Sequence, residues 1–358
     1  MNGICGLSNL GNTCFLNTSL QCLSHITDLR EYIMNEEDEY LPLLNNRFRE
    51  ISTLQDSNES WNVVDIIRNQ LVLTKEYIKL IKAMWTSKSP IIAPKSFHRI
   101  LQKADNRFQG YDQHDAQESL ALILDYLHEG LKYDAKLLCN GTAENDVDKL
   151  IVESNKYFNK ELKEKYSIIV ENFFGQFINK IVSLENNRNK MVSKTFEMFN
   201  MLNIPIHGIT LDESLSVYFG KEILETKYFE EKSKKHINVY RQIKLMRVPK
   251  YLVLVLKRFT NSLTKNNNSV TFPIDSLDLS DHAEGYDKYE SQLRLVSVGC
   301  HRGSINGGHY FSICRHVNDK WYVFDDDSSI EFDIDNERNK NILFTCGYIL
   351  IYQNLKNI

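Results

Sequence analysis

A change of texture near Phe173 constrains this chain more than any other feature. Before it, apolar residues recur at helical spacing. Leu16, Leu20 and Leu23 fall at i, i+4 and i+7 behind a cap at Asn12 or Thr13, and further helical patterns run through 61–85 and 112–132. A charged stretch, 144–166, has helical composition but no clean apolar stripe and reads as a solvated helix or a surface connection. After Phe173, short alternating or apolar runs dominate: 177–184, 196–205, 236–246, 251–259, 294–300, 310–316, 321–325 and 348–352. Asn, Gly, Asp and Ser clusters separate them, and one helix, 211–219, interrupts them behind a cap at Thr210 or Asp212. A helical first half joined to an antiparallel second half makes an α+β chain.

Composition narrows the function classes. The 358 residues are 42% hydrophobic and 25% charged, the balance of a globular protein and not of a disordered or fibrous one. With 43 basic against 47 acidic residues, the net charge of -4 argues against a strongly basic nucleic-acid binder. No run approaches the roughly 18 apolar residues of a membrane span, and the first residues lack the basic and apolar regions of a signal peptide. The 7 cysteines are dispersed without a C-x-x-C pair, which reads as reduced thiols in an intracellular protein.

One cysteine has a distinctive setting, Gly6-Leu7-Ser8-Asn9-Leu10-Gly11-Asn12-Thr13-Cys14-Phe15-Leu16-Asn17. Cys14 falls in the first turn of an amphipathic helix, where unpaired N–H groups and the helix dipole favour a thiolate. Gly11 allows a close backbone approach, and the Asn9 amide could donate to a developing oxyanion, a contribution of about 2.7–4 kcal/mol to a barrier. Cys22 reads as core, and Cys5, Cys139, Cys300, Cys314 and Cys346 as structural.

A thiol nucleophile needs a base, and the base an orienting group. Among 10 histidines, His309 stands where a glycine-bearing loop, Gly303 to Gly308, runs into a strand. The following strand ends at Asp325-Asp326-Asp327, and hairpin pairing would bring Asp325 opposite His309 to fix its tautomer. A solvated turn accounts for Asp326 and Asp327 better than for Asp325. His301 is either a rival base or a hydrogen-bonded structural histidine.

Taken together these segments resemble the ubiquitin-specific proteases, papain-like cysteine deubiquitinases. Residues 6–23 resemble that family's cysteine box and 298–327 its histidine box. Between them Tyr111-Asp112-Gln113-His114-Asp115-Ala116-Gln117-Glu118 resembles its Gln-Asp-Ala-x-Glu motif. Further matches are Leu256-Lys257-Arg258-Phe259, Val270-Thr271-Phe272-Pro273 and Gly347 to Tyr352, all in family order. The resemblance implies a right-hand fold: a helical thumb to about residue 170, β-stranded fingers over 171–255 and a mixed palm over 256–358. It places Cys14 as nucleophile, His309 as general base, Asp325 as orienting acid and Asn9 as oxyanion donor. Asp326 matches an acidic position that helps polarise the site in some members. Asp115 and Glu118, i and i+3 on one helix face opposite Ala116, Leu120, Ile123, Leu127 and Leu131, would pair with arginines of ubiquitin's tail.

The chain departs from the family at the fingertips. Where many members bind zinc through two C-x-x-C pairs, the matching positions are Ser183, Asn186, Phe229 and Lys232, so neither structural zinc nor any other cofactor is expected. Packing by Phe177, Tyr228 and Phe229 would hold the tips instead. The chain reads as a lone catalytic domain that removes ubiquitin from conjugated proteins or chains in the cytoplasm or nucleus. Competing readings are a non-catalytic ubiquitin scaffold, a protease for another ubiquitin-like modifier, and an unrelated acyltransferase with the same triad.

Overall fold

The structure, a computed structural model, describes residues 2–55, 61–135, 138, 141–185, 190–231, 233–259, 264–289, 291–304 and 307–357. A short strand β1 (Gly6–Leu7) leads into helices α1 (Cys14–Ser24), α2 (Thr27–Asn35), α3 (Glu37–Gln55) and α4 (Trp61–Thr86). Strand β2 (Ile91–Ile92) pairs in parallel with β1, and α5 (Lys95–Ala104), α6 (Ala116–Leu131), α7 (Asp146–Leu162) and α8 (Ile168–Phe173) complete the helical part. The texture change near Phe173 is therefore the end of α8.

Beyond it come β3 (Gly175–Ser183), β4 (Met191–Phe199), β5 (Leu202–Ile204), α9 (Leu211–Tyr218), β6 (Glu222–Ile223), β7 (Tyr228–Glu230), β8 (Lys235–Ile237) and β9 (Val239–Arg247). The chain then continues through β10 (Tyr251–Leu256), β11 (Leu277–Asp278), β12 (Gln292–Ser304), β13 (Gly307–Arg315), β14 (Trp321–Asp325), β15 (Ser328–Phe332), α10 (Glu337–Cys346) and β16 (Gly347–Asn354). An eight-stranded sheet runs in the order β15-β14-β13-β12-β16-β10-β5, with β11 against β12. A second sheet, β4-β3-β9-β6, and a ribbon of β7 and β8 stand apart from it. The apolar run 196–205 thus divides between two sheets, β4 in the smaller and β5 parallel to β10 in the larger.

Strand β10 shows why the large sheet sits where it does. All of Tyr251–Leu256 is buried, and alternate residues enter different cores. Tyr251, Val253 and Val255 join the helical core, whereas Leu252, Leu254 and Leu256 join a second core against α9 and α10. A strand covered on both faces reads as a continuous apolar run, each side chain contributing roughly 1.5–3 kcal/mol. At its end the buried Arg258 donates to the carbonyls of Gly347 (2.6 Å), Asn268 (2.8 Å), Phe344 (3.0 Å) and Asn266 (3.1 Å), tying α10 and the 266–268 loop to the sheet.

Two expectations need correction. Helix α1 is not amphipathic: all of Cys14–Ser24 is buried. Two of its polar residues find partners inside, Ser19 bonding Ala116 O and Ser119, and Gln21 donating from its amide to Cys5 O at 2.8 Å, whereas Thr18 Oγ1 has none among the described residues. Helix α7 likewise does more than float in solvent, because Ser154, Phe158 and Leu162 are buried under it. Among the described residues, no helix is long and apolar enough to cross a membrane.

Candidate active site

The loop into α1 is shaped by Asn9. Its Oδ1 accepts from Gly11 N (2.9 Å) and Thr13 N (3.1 Å), while Gly11 (φ 105°) and Asn12 (φ 55°) take left-handed conformations that glycine and asparagine tolerate best. Cys14 follows as the first helical residue, 4% exposed. The ring of Tyr111 lies directly over Gly11, 2.9 Å from where a Cβ would stand, and Asn12 donates to Tyr111 O at 2.7 Å.

His309 approaches from β13. Its Nε2 meets Asp325 Oδ1 at 2.5 Å, and Cys14 is the second side-chain partner of the ring. The Asp325 hydrogen bond first, and the Cys14 contact second, push the imidazole up to about 10 against the opposing pull of burial. The same bond, with Arg302 adding to it, holds the Asp325 carboxyl below its ordinary value. The rival His301 is 4% exposed and pushed down to about 4, chiefly by burial, which keeps its ring neutral. Its ring packs on the Gly308 backbone so closely that a methyl group there would overlap it.

The three aspartates have three different fates. Asp325 ends β14 and takes His309. Asp326, at φ 50°, accepts from Asn9 Nδ2 (2.9 Å) and Asn17 Nδ2 (2.8 Å), and its carbonyl accepts from Leu7 N at 2.7 Å. It is therefore no simple solvated turn residue: it joins the nucleophile loop and helix to the turn after β14. Only Asp327 is exposed. An amide nitrogen carries two hydrogens, so Asn9 retains one beyond its bond to Asp326.

His309, Asp325 and Asp326 present donor atoms within 4.8 Å of one another, the span of a small cation's shell. Yet both oxygens of each carboxylate already accept hydrogen bonds, and one of the donors is the Arg302 guanidinium. The cluster suits a proton relay better than a metal.

Helix α6 begins at Ala116, not at 112. Asp115 is its N-cap, accepting from Gln117 N at 2.8 Å and from Tyr348 Oη at 2.7 and 2.9 Å. Burial nevertheless raises the Asp115 carboxyl. Glu118 is exposed one turn on. A cleft of about 190 Å³, lined by Gln113, His114, Asp115, Phe259, His301 and Tyr310, leads along this edge. A larger cavity of about 530 Å³ beside Phe158 and Arg247 has no cysteine or histidine in its lining.

Asn17, Arg302 and Tyr348 were not singled out from sequence. A buried asparagine one turn after Cys14 was the one available signal for Asn17. The partners of Arg302 and Tyr348 lie far along the chain, where spacing says nothing.

The model of the ubiquitin carboxyl-terminal hydrolase family matches residues 5–352. The chain belongs to the ubiquitin carboxyl-terminal hydrolase family. It is 29% identical to ubiquitin carboxyl-terminal hydrolase Usp2 of Drosophila melanogaster over 98% of this chain and 35% of that protein. It is also 29% identical to human ubiquitin carboxyl-terminal hydrolase 2, over 98% of this chain and 55% of that one. The chain thus spans about half or less of the length of these relatives. The structure of the SAGA Ubp8/Sgf11/Sus1/Sgf73 DUB module bound to ubiquitin aldehyde superposes with a TM-score of 0.72 at 21% identity, covering 98% of this chain and 70% of that one. The α+β, papain-like fold of the family's ubiquitin-specific branch is therefore the fold of this chain.

Of the positions matched to the family's zinc ligands, Ser183 closes β3 and Phe229 lies in β7, and neither side chain offers a thiolate. Asn186, Lys232 and Cys139 lie outside the described residues. Phe177 does not support the tip. It stacks on Phe199 at 4.3 Å and touches Phe219, at the root of the small sheet. Phe229 is 43% exposed against His236, and Tyr228 pairs with Ile237 across the ribbon.

Proposed function

We propose that this hydrolase-family chain cleaves isopeptide, peptide and thioester bonds after the terminal glycine of ubiquitin, releasing it from conjugated proteins or chains. The observation that carries the reading is the imidazole of His309, bonded to Asp325 and neighboured by Cys14, the first residue of a buried helix. The Cys14 sulfur attacks the glycine carbonyl. Asn9, through its remaining N–H, and backbone N–H groups at the start of α1 receive the oxyanion. His309 protonates the departing lysine amine, then takes a proton from the water that hydrolyses the thioester. Asp325 orients the ring throughout, and Asp326 holds Asn9 to the site.

The cleft beside Asp115, with Phe259, His301 and Tyr310 in its lining, would select a tail without side chains on steric grounds. Asp115 and Glu118 would face arginines preceding the Gly-Gly terminus, and a guanidinium arriving at Asp115 would offset the burial that raises its carboxyl. The helices to about 170 would act as thumb, 171–255 mainly as fingers and 256–358 mainly as palm. Strand β5 and helix α9 attach to the large sheet although they fall within the fingers segment. The described cysteines are free thiols, which supports a reducing location such as cytoplasm or nucleus.

Ubiquitin bearing a C-terminal electrophile tests the proposal. Covalent capture at Cys14, abolished in Cys14→Ala, is expected. Reaction only with another modifier's probe would move the assignment to that modifier, and no reaction with any would leave a binding scaffold.

A further inference from the structure

We propose that Arg302 is a positioning residue for the Cys14–His309–Asp325 group, holding Asp325 by the oxygen that His309 does not use. Only the turnover arm of its test rests on the ubiquitin reading above. Arg302 and His309 are directly opposed in the β12–β13 register, so their side chains leave the same face of the hairpin. Asp325 lies on β14, which adjoins β13 and not β12. Arg302 must therefore reach across an intervening strand, roughly 10 Å of sheet. It does so over the ring of Phe311, with the guanidinium carbon 5.4 Å from the ring centre. It then donates from Nη2 to Asp325 Oδ2 at 3.0 Å, while His309 holds Oδ1 at 2.5 Å.

A carboxylate held through one oxygen can turn about its terminal torsion. One held through both oxygens, by donors from two neighbouring strands, has its plane fixed, and with it the imidazole ring that it orients. The guanidinium also brings positive charge to the group. The other charged or titratable neighbours of His309 are Cys14, Asp325, Asp326 and His301. Lys265 lies behind the same hairpin, donating to His301 O at 2.9 Å. Removing Arg302 leaves the carboxylates less compensated, so the protonated ring persists to higher pH. The Arg302 side chain is 58% exposed, so solvent screens its charge and the effect is moderate.

The full chain carrying Arg302→Ala, Arg302→Gln or Arg302→Lys tests this in two assays. One follows the rate of Cys14 alkylation by iodoacetamide across pH, which needs no ubiquitin. The other follows kcat and KM on a ubiquitin–fluorophore conjugate. For Ala and Gln, kcat falls about three- to tenfold with KM within about twofold, and the alkaline inflection of both profiles moves to higher pH. Lys returns the inflection toward wild type without restoring all of kcat, since a point charge lacks the planar fork that lies on Phe311. Unchanged kcat and unchanged inflections in Ala and Gln would overturn the proposal, as would slower turnover with an unmoved inflection and a lower Tm. A wild-type chain that alkylates normally yet ignores the ubiquitin conjugate would refute the substrate reading, leaving Arg302 to be judged by the alkylation profile.

Discussion

The seam between α1 and the large sheet and the small sheet of β4-β3-β9-β6 are built on opposite terms. At the seam every α1 side chain is buried, and polar groups from remote positions meet in two adjacent sets, Asn9 and Asn17 on Asp326 and His309 on Asp325. On β4 only Phe199 is fully buried, and the ion pairs there, such as Lys194 with Glu153, reach solvent. Paired polar groups set against a fully buried helix tolerate little displacement, because each lost partner leaves another unsatisfied. An exposed strand such as β4 tolerates much more. The tight seam and the exposed strand β4 thus belong to different sheets of one chain.

Breaking the seam at its centre should have the largest effect. Cys14→Ala is expected to lower turnover of a ubiquitin–fluorophore conjugate by roughly 10⁵–10⁶-fold while ubiquitin binding, read by fluorescence polarisation, persists. Asp325→Asn comes next, at about 10³–10⁴-fold in kcat. Because the Asp325 bond is the largest cause raising His309 to about 10, its loss should also draw the alkaline limb of activity to lower pH. The stability linked to His309 has a matching sign: it is fully present below the unfolded value near 6.5 and is lost as pH rises through about 10. Urea denaturation of wild type and His309→Ala from pH 6 to 10 should converge toward the alkaline end.

The small sheet supplies the contrast within itself. Phe177→Ala, at its packed root, should cost about 3–5 kcal/mol in urea denaturation. Phe229→Ala, at the exposed ribbon, should cost less than about 1 kcal/mol. Equal losses would show that the tip is as tightly built as the root. A pH-dependent effect concerns His301, whose folded value near 4 lies below its ordinary 6.5. The unfolded chain binds that proton first, so stability is lost as pH falls from about 6.5 toward 4. His301→Gln should flatten this part of the curve, and an unchanged acid slope would remove His301 as its source.

Much of this architecture was legible in the chain itself. The boundary at Phe173, the helix after Cys14, the helix capped at Thr210 and strand Trp321–Asp325 all lie where periodicity and capping residues place them. Helices Thr27–Asn35, Glu37–Gln55 and Glu337–Cys346 carried no pattern strong enough to be read, since packing on neighbours stabilises them more than their own periodicity, whereas Lys95–Ala104 does carry an apolar stripe of Phe97, Ile100, Leu101 and Ala104. The strand run at 196–205 misled for a related reason: local alternation does not say which sheet a strand joins.

The residue types and their order determined the chemistry available: a cysteine at a helix start, a histidine after a glycine loop, and an acid closing the next strand. Folding decided which of three adjacent aspartates meets the imidazole, that Asn9 and Asn17 grip the second, that Tyr348 covers Asp115, and that Arg302 crosses a strand to reach Asp325. Local pattern reports which way a side chain leaves its own strand or helix. Its partner is set by the register and stacking of segments that meet only once the two cores have closed.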